Sequence, residues 1–136
     1  MKSSSRFVID TNVLVSRVIL PASIPAQAVR KALQTGQLLM SDAIFSEIAR
    51  VLARAKFDRY VTAEDRREFL QSLFHISEFV MIVHTVQVCR DPKDNMLLEL
   101  AVNGQANFIL TGDDDLLALG SFHGVPIWTP ADYLLQ

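Results

Sequence analysis

Short continuous runs of apolar residues alternate along the chain with longer stretches in which apolar residues recur at helical spacing. Such continuous runs are typical of strands that are buried on both faces of a sheet. Five strands are predicted: Arg6 to Asp10, Leu38 to Ser41, Phe79 to Val83, Phe108 to Thr111 and Pro126 to Thr129. Helices are predicted at about 12–19, 25–35, 42–54, 62–76, 93–103 and 113–119. This alternation predicts an α/β fold, a three-layer α/β/α domain with a mostly parallel, roughly five-stranded sheet.

Particular residues mark the ends of several predicted helices. Thr62 and Asp65 have the spacing of a capping box, and Gly104 and Gly120 stand where two helices are expected to end. The sequence shows no internal repeat, low-complexity tract or linker. Because a chain of roughly 100–200 residues commonly forms one domain, residues 1–136 are expected to fold as a single domain.

Two acidic residues follow predicted strands. Asp10 comes directly after the first strand, and Asp113 follows the fourth strand by way of Thr111 and Gly112. Ligands of open α/β sheets bind at the carboxyl ends of the strands, so both carboxylates are expected at the functional edge. A single acid in this position is also a common helix N-cap, and that alternative stays open.

Two further acids interrupt the apolar faces of predicted helices. Glu47 lies on the face formed by Ile44, Ile48, Val51 and Leu52. Asp94 begins the face formed by Leu97, Leu98 and Ala101. Burying an unpaired carboxylate costs several kcal/mol, so each of these acids needs a partner.

Two kinds of partner satisfy these acids. Arg50 and Arg54 follow Glu47 on the same helix and Arg90 precedes Asp94, which would make a structural ion-pair network. Alternatively Mg²⁺ or Mn²⁺, which prefer oxygen ligands, accounts for all four acids together. A pair of such ions activates water and stabilises the leaving oxygen of a phosphodiester. On this hypothesis the metal ligands and catalytic residues are Asp10, Glu47, Asp94 and Asp113.

Several neighbouring residues extend this hypothesis. Asp115 is a candidate fifth metal ligand or a solvated charge at a helix start, and Asp114 is assigned to solvent. Asn12 and Thr111 are candidates to orient a carboxylate or a bound water. Zinc is not indicated, because no histidine or cysteine shows ligand spacing. The residues concerned are His75, His84, His123 and the single cysteine, Cys89.

Charge is distributed unevenly, although the net charge is only −2. Six basic residues oppose three acids between Arg50 and Arg67, a local excess of +3. Six acids oppose one lysine between Asp91 and Asp115, a local excess of −5. A basic patch suits a polyanion, while solvated surface charge is the alternative. The candidate RNA-binding residues are Arg50, Arg54, Lys56 and Arg59.

The composition also bears on the cellular compartment. No apolar stretch approaches the roughly 20 residues of a membrane-spanning helix. The N-terminal residues have neither the apolar core nor the cleavage site of a secretory signal, and the single cysteine fits a reducing environment. A cytoplasmic protein is therefore expected.

Four stretches resemble the PIN-domain ribonucleases, in particular the VapC-like toxin components of bacterial toxin-antitoxin pairs. The first is F-V-I-D-T-N-V-L-V-S from Phe7, and the second is Glu47 within its helix. The third is C-R-D-P-K-D-N from Cys89, and the fourth is L-T-G-D-D-D-L-L from Leu110. Their order and spacing cover essentially the whole chain.

This resemblance implies a five-stranded parallel sheet between helices and an acidic pocket that binds Mg²⁺ or Mn²⁺. It also implies hydrolytic cleavage of RNA, frequent homodimers and an antitoxin partner that blocks the site. The family's acids carry over onto Asp10, Glu47, Asp94 and Asp113, with Asp115 as the auxiliary one. The residue after the third acid is often another acid in this group, whereas here it is Asn95.

The sequence therefore predicts an Mg²⁺/Mn²⁺-dependent endoribonuclease that is the toxin of a toxin-antitoxin pair and uses metal-activated water. Asp94 or Asp113 is expected to help deprotonate that water. Two other classes remain as alternatives. One is a catalytically silent PIN-fold interaction module. The other is a doubly wound phosphatase or phosphoacceptor domain with Asp10 as nucleophile, although the second Asp of the haloacid-dehalogenase pattern is replaced by Asn12.

Overall fold

The computed structural model describes residues 5–136, so residues 1–4 and the sequence-based expectation about a secretory signal there lie outside the described residues. The strands are β1 (Ser5–Ile9), β2 (Gly36–Met40), β3 (Glu78–Phe79), β4 (Phe108–Leu110), β5 (Ser121–Phe122) and β6 (Val125–Trp128). The helices are α1 (Thr11–Ile19), α2 (Ile24–Thr35), α3 (Asp42–Leu52), α4 (Ala63–Ile76), α5 (Pro92–Asn103), α6 (Asp114–Leu117) and α7 (Pro130–Leu134). A short 3₁₀ helix covers Ala55–Phe57.

These strands form one sheet in the order β3-β2-β1-β4-β6-β5. All neighbouring pairs are parallel except β5 with β6. The chain runs outward from β1 through β2 to β3 and then crosses back to β4 on the other side of β1. Because parallel crossovers are right-handed, the outward and returning connections lie on opposite faces of the sheet. The helix α2 belongs to an outward connection and α5 to the returning one, and both pack against β1 and β2. The sheet therefore lies between two layers of helices, and the predicted three-layer α/β fold is confirmed.

Aromatic side chains connect the central strands on one face. The Phe7 ring of β1 stacks on the Phe108 ring of β4 at 5.3 Å between centroids, and Phe108 stacks on Trp128 of β6 at 5.2 Å. Tyr133 of α7 covers the same Phe108 ring at 5.0 Å. Burial of these rings contributes to the apolar core that fixes the spacing of β1 and β4.

The sequence-based boundaries agree with most elements, and the capping box of α4 is confirmed by both of its hydrogen bonds. Gly120 has a positive φ of 70°, as a helix-ending glycine often does. Gly104 does not, and its small size instead avoids Leu39, since a Cβ there would lie 2.6 Å from Leu39 Cδ1. The two-residue edge strand β5 and the helix α7 were not predicted.

One predicted strand, Phe79 to Val83, is wrong over most of its length. β3 ends at Phe79 and residues 80–91, here called the strap, have no regular secondary structure. Val80 N–H still donates to Met40 O of β2 at 2.8 Å, and beyond Val80 side chains of α5 bind the strap backbone. Val83 N–H donates to Asn103 Oδ1 at 2.9 Å, and Val86 N–H donates to Glu99 Oε2 at 2.9 Å.

A third contact completes this row. Cys89 N–H donates to Asn95 Oδ1 at 2.9 Å. Residues 95, 99 and 103 are spaced by four, so they lie on one face of α5, one turn apart. The strap is therefore held along its length by a polar stripe of a helix whose opposite face is in the core.

Within residues 5–136, no single helix is long and apolar enough to span a membrane, and the pair α1 and α2, which together meet the length and hydropathy requirement, is bent by 101°.

We expect the substitution Asn103→Ala to release the middle of the strap. Asn103 accepts from Val83 and His84 N–H and donates to His84 O at 2.8 Å, and a typical hydrogen bond contributes about 1 kcal/mol. Urea denaturation should show a loss of about 1–3 kcal/mol, and the Val83 and His84 amides should exchange faster. The exposed Gln71→Ala on α4 should change stability by less than about 0.5 kcal/mol. Unchanged amide exchange in Asn103→Ala would contradict this account of the strap.

Candidate active site

The two strand-end acids lie at the carboxyl edge of the sheet, where the chain order reverses between β1 and β4. Asp10 N–H donates to Leu110 O at 2.9 Å, which ties the end of β1 to the end of β4. Thr111, fully buried, connects the two acids. Its hydroxyl donates to Asp10 Oδ2 at 2.7 Å and accepts from Asp113 N–H at 3.0 Å. The expected position at a topological switch point is therefore observed.

Two helices bring the other acids to the same edge. Glu47 of α3 is 7% exposed and Asp94 of α5 is 5% exposed. The Thr11 hydroxyl, at the start of α1, donates to Glu47 Oε1. Glu47 Oε2 and Asp94 Oδ2 are buried and have no hydrogen-bond partner within residues 5–136. Unpaired buried oxygens of this kind are costly, and they call for a cation or a proton.

A cavity of about 160 Å³ contains all four predicted acids along its wall. Asp91, Arg54 and Lys93 also line it. Carboxylate oxygens of Asp94, Asp113 and Asp115 lie within 4.8 Å of one another, close enough for one ion to contact all three. The acids around the cavity offer only oxygen ligands, and two of these oxygens, Glu47 Oε2 and Asp94 Oδ2, lack a hydrogen-bond partner among the described residues. Such a set of ligands fits a hard divalent cation such as Mg²⁺ or Mn²⁺.

Burial and mutual repulsion alter the acidity of these groups. Burial raises the pKa of Asp10 above its usual range, the Thr111 hydrogen bond opposes that rise, and the charges of Asp113 and Glu47 add to it. Burial also raises the pKa of Asp94 from 3.8 to about 6, with further repulsion from Asp113, Asp91 and Asp10. A carboxyl group that titrates near neutrality holds and releases protons more readily at physiological pH than an ordinary aspartate.

The described residues do not form the arginine ion pairs that a structural ion-pair network would require. Within residues 5–136, no arginine forms an ion pair with any of the four acids. Arg90, expected beside Asp94, instead contacts both carboxylate oxygens of Asp115 at 3.1 Å. Among the described residues, the cation that forms an ion pair with one of the four acids is Lys93, whose Nζ lies 3.8 Å from Glu47 Oε2.

The remaining predicted site residues occupy different places. Asn12 lines the cavity with an exposed side chain, and Asp114 is exposed. Asp113 also caps α6, since its Oδ1 accepts from Leu116 N–H at 3.1 Å, so the N-cap alternative applies to it in addition. Of the four basic residues proposed to bind RNA, Arg54 lines the cavity. The other three, all exposed and outside its lining, are Arg50, Lys56 and Arg59.

Sequence reasoning missed the contributions of Thr11, Lys93 and Asn95. A possible signal for Thr11 and Lys93 was their position directly beside Asp10 and Asp94. Asn95, at the position where the PIN-domain resemblance led us to expect a further acid, faces the strap. Its amide donates to Cys89 O at 3.2 Å while its carbonyl accepts from Val88 and Cys89 N–H. A carboxylate there would lose the donor.

The fold and the acidic pocket together define a class of α/β domains with a carboxylate cluster at the carboxyl edge of the sheet, and comparisons with known proteins identify the family. The family model described as "PIN domain" matches residues 6–115. The chain therefore belongs to the PIN-domain family, whose members are generally nucleases that use divalent metals.

Two particular proteins illustrate the similarity. An uncharacterized protein of Methanocaldococcus jannaschii, MJ1680, is 32% identical over 122 residues, which cover 87% of this chain and 77% of that protein. A chain in the crystal structure of VapBC2 from Rickettsia felis, bound to a DNA fragment from its promoter, superposes with a TM-score of 0.61. That match covers 91% of this chain and 98% of the other at 8% identity, so it concerns the fold alone.

We expect the metal-free protein to lose stability as pH rises from about 4 to about 6. The pKa of Asp94 is 3.8 when unperturbed and about 6 in the folded state, so ionisation opposes folding across this window. Asp94→Asn should remove this contribution. In EDTA at pH 7.5 the variant should melt at the same temperature as the unsubstituted protein or higher, where about 1 kcal/mol corresponds to about 4 °C. Scanning calorimetry at several pH values measures this.

The matched control is Asp114→Asn, which removes an exposed acid and should leave the pH profile unchanged. A clear drop in the melting temperature of Asp94→Asn in EDTA would mean that the Asp94 carboxylate has a stabilising partner.

Proposed function

We propose that the chain is a cytoplasmic Mg²⁺/Mn²⁺-dependent endoribonuclease and the toxin of a toxin-antitoxin pair, acting through one domain over residues 1–136. The observation that carries this proposal is a cavity lined by four acids in which two buried carboxylate oxygens, Glu47 Oε2 and Asp94 Oδ2, have no hydrogen-bond partner among the described residues. Membership of a family whose members are generally nucleases supports the same activity.

The proposed metal ligands are Asp10, Glu47, Asp94 and Asp113, with Asp115 as an auxiliary ligand that would exchange its contact with Arg90. These residues would hold divalent cations, and the positive charge supplied there would acidify water and stabilise the charge that develops on the phosphodiester oxygens. Thr111 and Thr11 fix the rotamers of Asp10 and Glu47, so the negative field is formed before substrate binds. Asn12 at the cavity wall is suited to orient a water molecule.

Asp94 is proposed to accept a proton from the attacking water, as a carboxylate at the cavity wall. Burial and the charges of Asp113, Asp91 and Asp10 raise the pKa of Asp94 to about 6 in the metal-free protein, and a bound cation would oppose that rise. Asp113 lies close enough to Asp94 to share that role and to set its acidity. The hydrolysis requires no covalent intermediate with the protein.

RNA is the proposed substrate, because basic residues both line the acidic cavity and lie exposed outside its lining, where they can contact successive phosphates. Arg54 at its wall would contact the phosphate backbone near the cleavage site, and Arg50, Lys56 and Arg59 would contact more distant phosphates. The phosphoacceptor alternative is less favoured, because the chain belongs to the PIN-domain family and has Asn12 where a second Asp is required. A catalytically silent module is less favoured because all four acids are retained.

We expect the purified protein to cleave RNA with Mg²⁺ or Mn²⁺ and to stop in EDTA, because uncompensated carboxylates repel the phosphodiester. Asp10→Asn and Asp94→Asn should each reduce kcat by about 10²-fold or more, the scale of one lost preorganised electrostatic group. End-labelled RNA pools with sequencing of the products provide the measurement. Asp114→Asn is the control and should retain the unsubstituted rate. Full activity in EDTA, or in both site variants, would refute the proposed site.

A surface groove supports a second proposed function, the binding of an antitoxin partner. A groove of about 440 Å³ runs between α1, α2 and α4 and has an apolar floor. The floor includes Leu14, Val29 and Leu73, which are almost completely buried. The opening also carries Arg17 and the acids Asp65 and Glu68. A peptide with apolar anchors and mixed charge fits such a groove, and the structurally similar VapBC2 chain is part of a complex.

We expect the product of the neighbouring reading frame to bind this groove and to inhibit cleavage. Tyr60→Glu and Ile76→Glu place charge at exposed positions of the groove and should weaken binding by about 10-fold or more, as measured by isothermal titration. Leu135→Glu, an exposed leucine outside the groove, is the control. Undiminished binding by both groove variants would locate the partner elsewhere. Light scattering of the free chain tests the proposed homodimer.

A further inference from the structure

Lys93 is a cation inside an acidic cavity that the proposed chemistry leaves without a role. It is the second residue of α5, and its N–H donates to the capping carboxylate of Asp91 at 3.0 Å. This cap fixes the Lys93 backbone directly before Asp94. The side chain is free to turn, since it is 56% exposed, and its Nζ lies 3.8 Å from Glu47 Oε2.

The contact between Lys93 and Glu47 is loose. A distance of 3.8 Å exceeds the roughly 2.7–3.2 Å of an N–H···O hydrogen bond, and Glu47 Oε2 has no hydrogen-bond partner in the described part of the chain. The ammonium group therefore offsets the Glu47 charge without being held in one direction. Partly exposed ion pairs of this kind contribute little to stability, so the pair is easily exchanged for another partner.

The charges that line the cavity explain why Lys93 would exchange Glu47 for another partner. The cavity wall holds five carboxylates, on Asp10, Glu47, Asp91, Asp94 and Asp113, and two cationic side chains, on Arg54 and Lys93. A phosphodiester that approaches these carboxylates is repelled unless positive groups contact its oxygens. Lysine suits this task because its ammonium is a compact charge with three donors on a flexible stem.

We propose that Lys93 is an RNA-binding residue that leaves Glu47 when a divalent cation takes Glu47 Oε2 and then contacts a non-bridging oxygen of the phosphate at the cavity. The proposal rests on the nuclease function proposed above. Lys93 thus pairs with Glu47 in the metal-free protein and with a phosphate oxygen in the complex with substrate. Lys93 also competes with the cation for Glu47, so its removal affects metal binding and RNA binding in opposite directions.

The test compares Lys93→Gln and Lys93→Arg with the unsubstituted protein. RNA binding is measured by fluorescence anisotropy of a short labelled single strand across a salt series, with Ca²⁺ under conditions that give no cleavage. Lys93→Gln should lower affinity by about 3–10-fold and reduce the slope of log affinity against log salt by about 0.7, the value for one phosphate contact on a single strand. Lys93→Arg should retain most of the slope.

Metal binding gives a second readout that does not depend on activity. The melting temperature is followed during an Mn²⁺ titration, and Lys93→Gln should bind Mn²⁺ as tightly as the unsubstituted protein or more tightly. If Lys93 merely supported the position of Glu47, the variant would bind Mn²⁺ more weakly. Arg30→Gln, which removes a charge of α2 outside both the cavity lining and the basic patch, is the control and should change neither quantity.

Two outcomes overturn the proposal, and they are distinguishable. If the unsubstituted protein cleaves RNA with Mn²⁺ but Lys93→Gln keeps its salt slope or loses Mn²⁺ affinity, the role of Lys93 is wrong and the nuclease function stands. If the unsubstituted protein neither cleaves RNA nor gains stability from Mn²⁺, both proposals fail.

Discussion

Repulsion between carboxylates that are buried at one edge of a sheet is the constraint on which the rest of this site depends. Asp10, Glu47, Asp94 and Asp113 line the same small cavity, and no arginine pairs with them in the described residues. This arrangement forms only if the rest of the fold contributes enough stability to offset the repulsion between the carboxylates. The stacked rings of β1, β4 and β6 and the continuous apolar strands provide it, because their burial is insensitive to the charges at the strand ends.

The helix α5 links the stability of the fold to the chemistry of the site. Its apolar face packs against β1 and β2, and its polar face holds the strap through side chains one turn apart. Its first turn carries Lys93 and Asp94 into the cavity. A displacement of this helix would therefore move a proposed metal ligand and a proposed RNA-binding residue together, which couples the two functions of the cavity through one rigid element.

The similarity to known proteins separates fold from function. At 8% identity the chain shares its fold with a chain of the VapBC2 complex, because continuous apolar strands and amphipathic helices suffice to specify these layers. The proposed activity rests instead on a few positions at the carboxyl edge. Of these, Thr111 and Thr11 orient acids through single hydroxyl groups. Such contacts cannot be recognised from the pattern of apolar residues along the sequence.

The sequence by itself determined the layers of the fold, most helix boundaries and the inward position of Glu47 and Asp94, because periodicity is a local property that reports directly on burial. It also anticipated that Asp10 and Asp113 meet, since strands of a parallel sheet end at one edge. Only the tertiary structure decided that Lys93 rather than an arginine approaches Glu47, that Arg90 pairs with Asp115, and that the strap replaces most of a predicted strand. These outcomes depend on which distant polar groups come within hydrogen-bonding distance, and that is fixed by packing across elements rather than by any pattern along the chain.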